Sequence, residues 1–104
     1  MTAELYHWER RDRVDRNEYG EAAFRFCRAS RAQDGVVACR FFWVSPDRIA
    51  ILREAESPHT FDDAPKPEVA KALFDLADLA VNVGYERWLD PRNGQSAYAT
   101  AGRI

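Results

Sequence analysis

Val36-Val37-Ala38-Cys39-Arg40-Phe41-Phe42-Trp43-Val44 and Arg48-Ile49-Ala50-Ile51-Leu52-Arg53-Glu54-Ala55 are two runs rich in β-branched and aromatic residues, joined by Ser45-Pro46-Asp47. A proline fixed near φ −65° is preset for the second position of a type I turn, so the stretch predicts an antiparallel hairpin. If the loop closes between Val44 and Ile49, Phe42 faces Ile51 and Arg40 falls opposite Arg53 on one face of the sheet. Directly opposed like charges cost roughly 0.2 to 1 kcal/mol. A carboxylate, water or a bound anion must therefore compensate. Glu86, Glu54 or a glutamate of a partner subunit would supply a purely structural answer, and a carboxylate or phenolate ligand a functional one.

Upstream, Leu5 to Arg10 groups Leu, Tyr, His and Trp as a first strand. Asp15 and Glu18 then stand in capping-box spacing ahead of Tyr19, Ala22, Ala23, Phe26 and Cys27, an amphipathic helix that stops at Gln33-Asp34-Gly35. Downstream, Glu56 to Pro67 reads as a loop with room for one helical turn after Thr60. Pro67 opens a second helix whose Val69, Ala70, Leu73, Leu76, Ala77 and Ala80 recur on one face to about Val81. Val83 to Leu89 alternates as a last strand, ended by Asp90-Pro91. The polar tail 91–104 carries little pattern and is expected to be mobile or an extra strand given to a neighbour.

The order is βαββαβ, the ferredoxin-like α+β arrangement, with a four-stranded antiparallel sheet and both helices on one face of a single domain spanning residues 1–104. Phe42, Val44, Ile49 and Ile51 are expected on one face of the hairpin, and Val37, Cys39, Phe41, Trp43, Ala50 and Leu52 on the other. Both faces are then largely apolar. Helices cover only one of them, so a second copy of the chain is expected on the other.

Composition excludes several classes. Charged residues make up 31% and apolar residues 46%, with a net charge of −2, which argues against a nucleic-acid or anionic-membrane partner. The cluster Arg10, Arg11, Arg13 and Arg16 is interleaved with Glu9, Asp12, Asp15 and Glu18 and reads as a solvated, ion-paired surface. No apolar run has the length of a membrane span, and Met1-Thr2-Ala3-Glu4 lacks the pattern of a secretory signal, so a cytoplasmic protein is expected. Cys27 and Cys39 lack any CxxC spacing and are expected as buried free thiols.

The hairpin followed by Arg53-Glu54-Ala55-Glu56-Ser57, then Phe61-Asp62-Asp63, then the Glu68 to Val81 helix running into the last strand resembles the dimeric α+β barrel superfamily. That group includes antibiotic biosynthesis monooxygenase-like, muconolactone isomerase-like and stress-responsive barrel proteins. The likeness covers Leu5 to Leu89 and implies two sheets packed face to face, with a pocket in each protomer between sheet and helices. Heme-degrading relatives use an Asn on the first strand and a Trp and a proximal His on helices. Here the first strand offers Tyr6, His7 and Trp8, and the second helix has neither Trp nor His, which disfavours heme chemistry.

With only His7 and His59, and no second ligand at helical spacing, no metal site and no cofactor are expected. His59, in the loop before the second helix, is the candidate proton carrier, with His7 as the other; each also has a plain reading as a surface or sheet-face histidine. Arg40 and Arg53 are the candidate anchors for an acid, and Phe42, Trp8 and Trp88 the candidate aromatic walls, although aromatics in a small sheet more often form core or interface. Two functions stand side by side. One is a homodimeric barrel that binds an aromatic or polyketide-like acid and oxygenates, cyclises or isomerises it without metal. The other is a non-catalytic small-ligand-binding or stress-related protein. A third class, a domain that docks another protein on its open sheet face, is weaker.

Overall fold

The computed structural model describes residues 1–99. Four strands, β1 (Thr2–Arg10), β2 (Val36–Ser45), β3 (Arg48–Ala55) and β4 (Ala80–Leu89), form one antiparallel sheet in the order β2-β3-β1-β4. Helices α1 (Arg16–Arg31) and α2 (Pro67–Leu79) lie on one face of it. This is the βαββαβ order expected from the pattern of apolar residues. Among the described residues, no helix is long and apolar enough to cross a membrane.

Helix α1 begins where Asp15 accepts a hydrogen bond from the Glu18 amide at 3.0 Å, satisfying one of the amides that a helix start leaves unpaired. Its buried stripe is Tyr19, Ala22, Ala23, Phe26, Cys27 and Ser30. Gly20, on the same helix, lets the Trp43 ring approach: a Cβ there would lie 3.0 Å from Trp43 Cζ2. Beyond α1 the chain turns at Gly35, whose φ of +87° is a left-handed conformation that side chains resist.

Helix α2 opens with Pro67 and buries Val69, Ala72 and Leu76. It ends two residues earlier than the apolar spacing predicts, because Ala80 and Val81 already belong to β4. Arg11 caps this exit, with its guanidinium donating to the Ala77 carbonyl at 3.0 Å and its amide to the Leu79 carbonyl at 2.9 Å. The Glu56–Pro67 loop holds one tight helical turn, at Pro58–Phe61 rather than after Thr60, because Ser57 caps it by accepting from the His59 amide and Pro58 opens it.

The hairpin register differs from the expected one. Ser45 pairs with Arg48 across a two-residue loop, Trp43 pairs with Ile49, and Val44 is left over as a bulge. One extra residue in one strand sends every side chain beyond it to the opposite face. Phe41, not Phe42, therefore faces Ile51, and Arg53 lies across from Cys39, not from Arg40. Cys39 and Phe41 join Ile49 and Ile51 in the core cluster, while Arg40 and Phe42 pair with Leu52 and Ala50 on the face away from the helices. Asp47 anchors this turn by accepting from the Arg10 and Arg16 side chains at 2.7 and 3.0 Å, which hold its carboxyl well below the usual range.

Cys27 and Cys39 are buried free thiols, as expected. The tail is not an extra strand over its described length: Asp90 caps a short helix α3 (Pro91–Gly94), followed by a wide turn at Gln95–Ala99. Residues 100–104 of the expected mobile or exchanged segment lie outside the described residues.

The turn at Gly35 packs against Pro58–Phe61, and a Cβ on Gly35 would sit 2.9 Å from Thr60 Oγ1. Gly35→Ala is expected to lower stability by at least about 1–2 kcal/mol, the usual cost of a left-handed side-chain residue, read as a lower urea midpoint with an unchanged slope.

Candidate functional site

Alternation along β1 sends Thr2, Glu4, Tyr6 and Trp8 towards the helices and Ala3, Leu5 and His7 to the other side. The central position of β1 sets Glu4 between Arg53 on β3 and Arg87 on β4 in register. Arg53 Nη2 donates to Glu4 Oε1 at 2.7 Å, and the Tyr85 hydroxyl donates to Glu4 Oε2 at 2.5 Å. Both charged side chains are buried, Arg53 to 11% exposure and Glu4 to 6%. Such a pair persists only where attraction and hydrogen bonds offset the loss of water.

Arg87 turns outward. It donates to Asp62 Oδ1 at 2.8 Å and to the Pro58 carbonyl at 2.6 Å, fastening the Pro58–Phe61 turn to the sheet, and its guanidinium draws the Asp62 carboxyl below its ordinary range. The fastened turn places the Phe61 ring against Arg53, with the guanidinium carbon 4.4 Å from the ring centroid, while Phe26 of α1 stands 5.8 Å away. Those distances are within reach of a cation–π contact.

A cavity of about 200 Å³ opens beside this cluster, between the sheet and the helices, lined among others by Tyr6, Trp8, Phe26, Gln33, Arg53 and Phe61. A dry cavity of about 150 Å³ is enough for a benzene ring. Past Tyr6, Trp8, Pro65 and Leu73 the space continues as an almost wholly apolar groove along α2, reaching Phe74 and Ala77. The site thus has a polar end built on the sheet and an apolar end under a helix.

Burial and the adjacent Glu4 carboxylate push the Tyr6 phenol far above its ordinary range. Burial first, and the hydrogen bond to Glu4 second, push Tyr85 up to about 12. Both remain protonated donors at neutral pH. Among the described residues, no group of His, Cys, Asp and Glu is arranged to hold a metal ion.

Of the residues singled out from sequence, only Arg53 and Trp8 line this cavity. Arg40, Phe42, Trp88 and His7 lie on the opposite, open face of the sheet, where Arg40 stands 5.9 Å from the Phe42 ring and Phe42 and Trp88 are half exposed. The two arginines do not meet, because the Val44 bulge puts their side chains on opposite faces of the sheet. His59 sits on the outside of its turn at 88% exposure, with Nδ1 3.7 Å from Asp62 Oδ2. Glu4 was missed: it lies in a short N-terminal stretch with no apolar alternation to mark it. Gln33 was missed because it reads as a helix exit.

No family model matches the chain, and no curated protein matches it in sequence. Solved structures do. SnoaB, a cofactor-independent oxygenase from Streptomyces nogalater, superposes with a TM-score of 0.74 at 11% identity over 86% of this chain and 91% of its own. The two chains share one ferredoxin-like fold. Rv0793 from Mycobacterium tuberculosis gives 0.71 at 12% identity over 86% and 93% of the two chains. A Deinococcus radiodurans protein with the provisional name antibiotic biosynthesis monooxygenase gives 0.71 at 13% over 86% and 92%. Identities this low establish the shared ferredoxin-like fold, the one the sequence resemblance implied.

Removing one partner of a buried ion pair strands the other charge. Arg53→Met is therefore expected to cost about 3–5 kcal/mol in denaturant titrations, and Glu4→Gln in the same chain to restore part of the loss. A second expectation concerns alkali. The folded state raises the Tyr85 phenol from 10.0 to about 12, so its contribution to stability is complete below pH 10 and disappears as pH climbs towards 12. Thermal melts across that window, compared with Tyr85→Phe, check this: the variant should show a shallower decline.

Proposed function

We propose that the chain binds a small aromatic or polyketide-like molecule in the cavity between sheet and helices and, as a homodimer, oxygenates, cyclises or isomerises it without a metal. The observation that carries this reading is the cavity itself: aromatic walls from Trp8, Phe26 and Phe61 around a polar end formed by Tyr6, Gln33 and Arg53. Likeness of fold to a cofactor-independent oxygenase supports the choice of reaction class.

Proton movement in this reading belongs to Glu4 acting through Tyr6, a phenol that lines the cavity with the carboxylate beside it. Arg53 would steady negative charge as it develops on the ligand. His59 and His7 point elsewhere and take no part. A second reading, a non-catalytic carrier, is favoured by one observation: the Glu4 carboxylate is already engaged by both Arg53 and Tyr85.

The homodimer is proposed through the open sheet face, where Phe42 and Trp88 leave half of their surface in water. A cytoplasmic setting suits the two free thiols.

Titration with 1,8-dihydroxynaphthalene, followed by calorimetry, is expected to show saturable binding that Phe61→Ala weakens at least tenfold. Oxygen uptake together with product analysis of the same compound separates the two readings: chemical conversion that stops in Tyr6→Phe supports the enzyme, and binding with the compound recovered unchanged supports the carrier. Light scattering is expected to give a dimer mass that Phe42→Glu halves; a monomer in the unsubstituted protein sinks the face-to-face assembly.

A further inference from the structure

We propose that Glu4 sets the charge selectivity of the cavity, so that it accepts an uncharged ligand and rejects the matching carboxylate. The proposal rests on the cavity being the ligand site, and goes on to name the class of ligand.

The charge balance is the reason. Among the described residues Arg53 is the cation in the cavity lining, and its Nη2 is already taken by Glu4 at 2.7 Å. Arg87, the other arginine in register with Glu4, is committed to Asp62 at 2.8 Å. The Arg53–Glu4 pair is neutral as a whole, and both side chains are largely withdrawn from water. An entering anion would give up its own hydration and find the positive charge of Arg53 already balanced.

An anion would still bind if Arg53 were released. Glu4→Gln keeps the shape of the side chain, removes its charge and leaves Arg53 without an ionic partner. The selectivity should then reverse.

The test titrates the full chain with 1-naphthol and with 1-naphthoate at neutral pH by calorimetry. The ring system is the same and only the charged group differs. The unsubstituted protein is expected to bind 1-naphthol at least tenfold more tightly. In Glu4→Gln, with folding checked by circular dichroism, 1-naphthoate affinity should rise at least tenfold while that for 1-naphthol changes little. The comparison of the two probes in the unsubstituted protein tests the selectivity by itself if Glu4→Gln does not fold. Equal binding of the two probes by the unsubstituted protein, or a folded Glu4→Gln with an unchanged ratio, overturns the selectivity and leaves the ligand site standing. Failure of both probes to bind overturns the ligand-site reading and the selectivity with it.

Discussion

The buried contact between Glu4 and Arg53 organises the polar half of this molecule. A carboxylate on the central strand and a guanidinium on its neighbour meet at 2.7 Å on the helix side of the sheet, where neither charge has free access to water. Everything close to them is arranged to make that tolerable. Tyr85 donates to the second carboxylate oxygen, Phe61 and Phe26 offer ring faces to the guanidinium, and Arg87 holds the turn that carries Phe61 in place. A hydrocarbon pair of equal size would often hold a small fold together as well.

Around that pair the apolar frame is conventional. Tyr19, Leu76, Ile49 and Ile51 are fully enclosed between the sheet and the two helices. The cavity exists because the frame is not filled evenly. Near Ile49, Cys39 and α1 the layers close, whereas between Tyr6, Trp8 and α2 they stay apart, and the loop before α2 forms the rim with Thr60, Asp63 and Pro65. A packed interior of this size rarely leaves such a gap without use.

The two sides of the sheet divide the labour. The helix side holds the ion pair and the cavity, and the open side holds Arg40, Phe42, His7 and Trp88. Arg40 and Arg53 are thirteen positions apart in sequence, as counted from their numbers, and were read as neighbours. One bulged residue, Val44, puts the sheet between them. The consequence is electrostatic as well as geometric: two arginines on one face would concentrate positive charge there, whereas here each face holds one of them and the inner one is paired with Glu4.

The sequence by itself determined the element order, the starts of both helices and the buried stripe of the first helix. Capping at Asp15, proline at Pro67, the glycine turn at Gly35 and the spacing of Tyr19 to Cys27 are local signals, carried by residues a few positions apart, and local hydrogen bonds and backbone sterics enforce them. Only the tertiary structure decided the hairpin register and the site. A bulge depends on how a strand fits its neighbours across the whole sheet, and period-two alternation cannot reveal which way a single extra residue shifts it. Glu4, Arg53, Tyr85 and Gln33 come from four separate segments, and nothing in the chain near any one of them names the others. They meet because β1 is placed centrally, between β3 and β4, and because the exit of α1 comes down beside the Pro58–Phe61 turn. Long-range packing made that choice, and packing is a property of the folded whole.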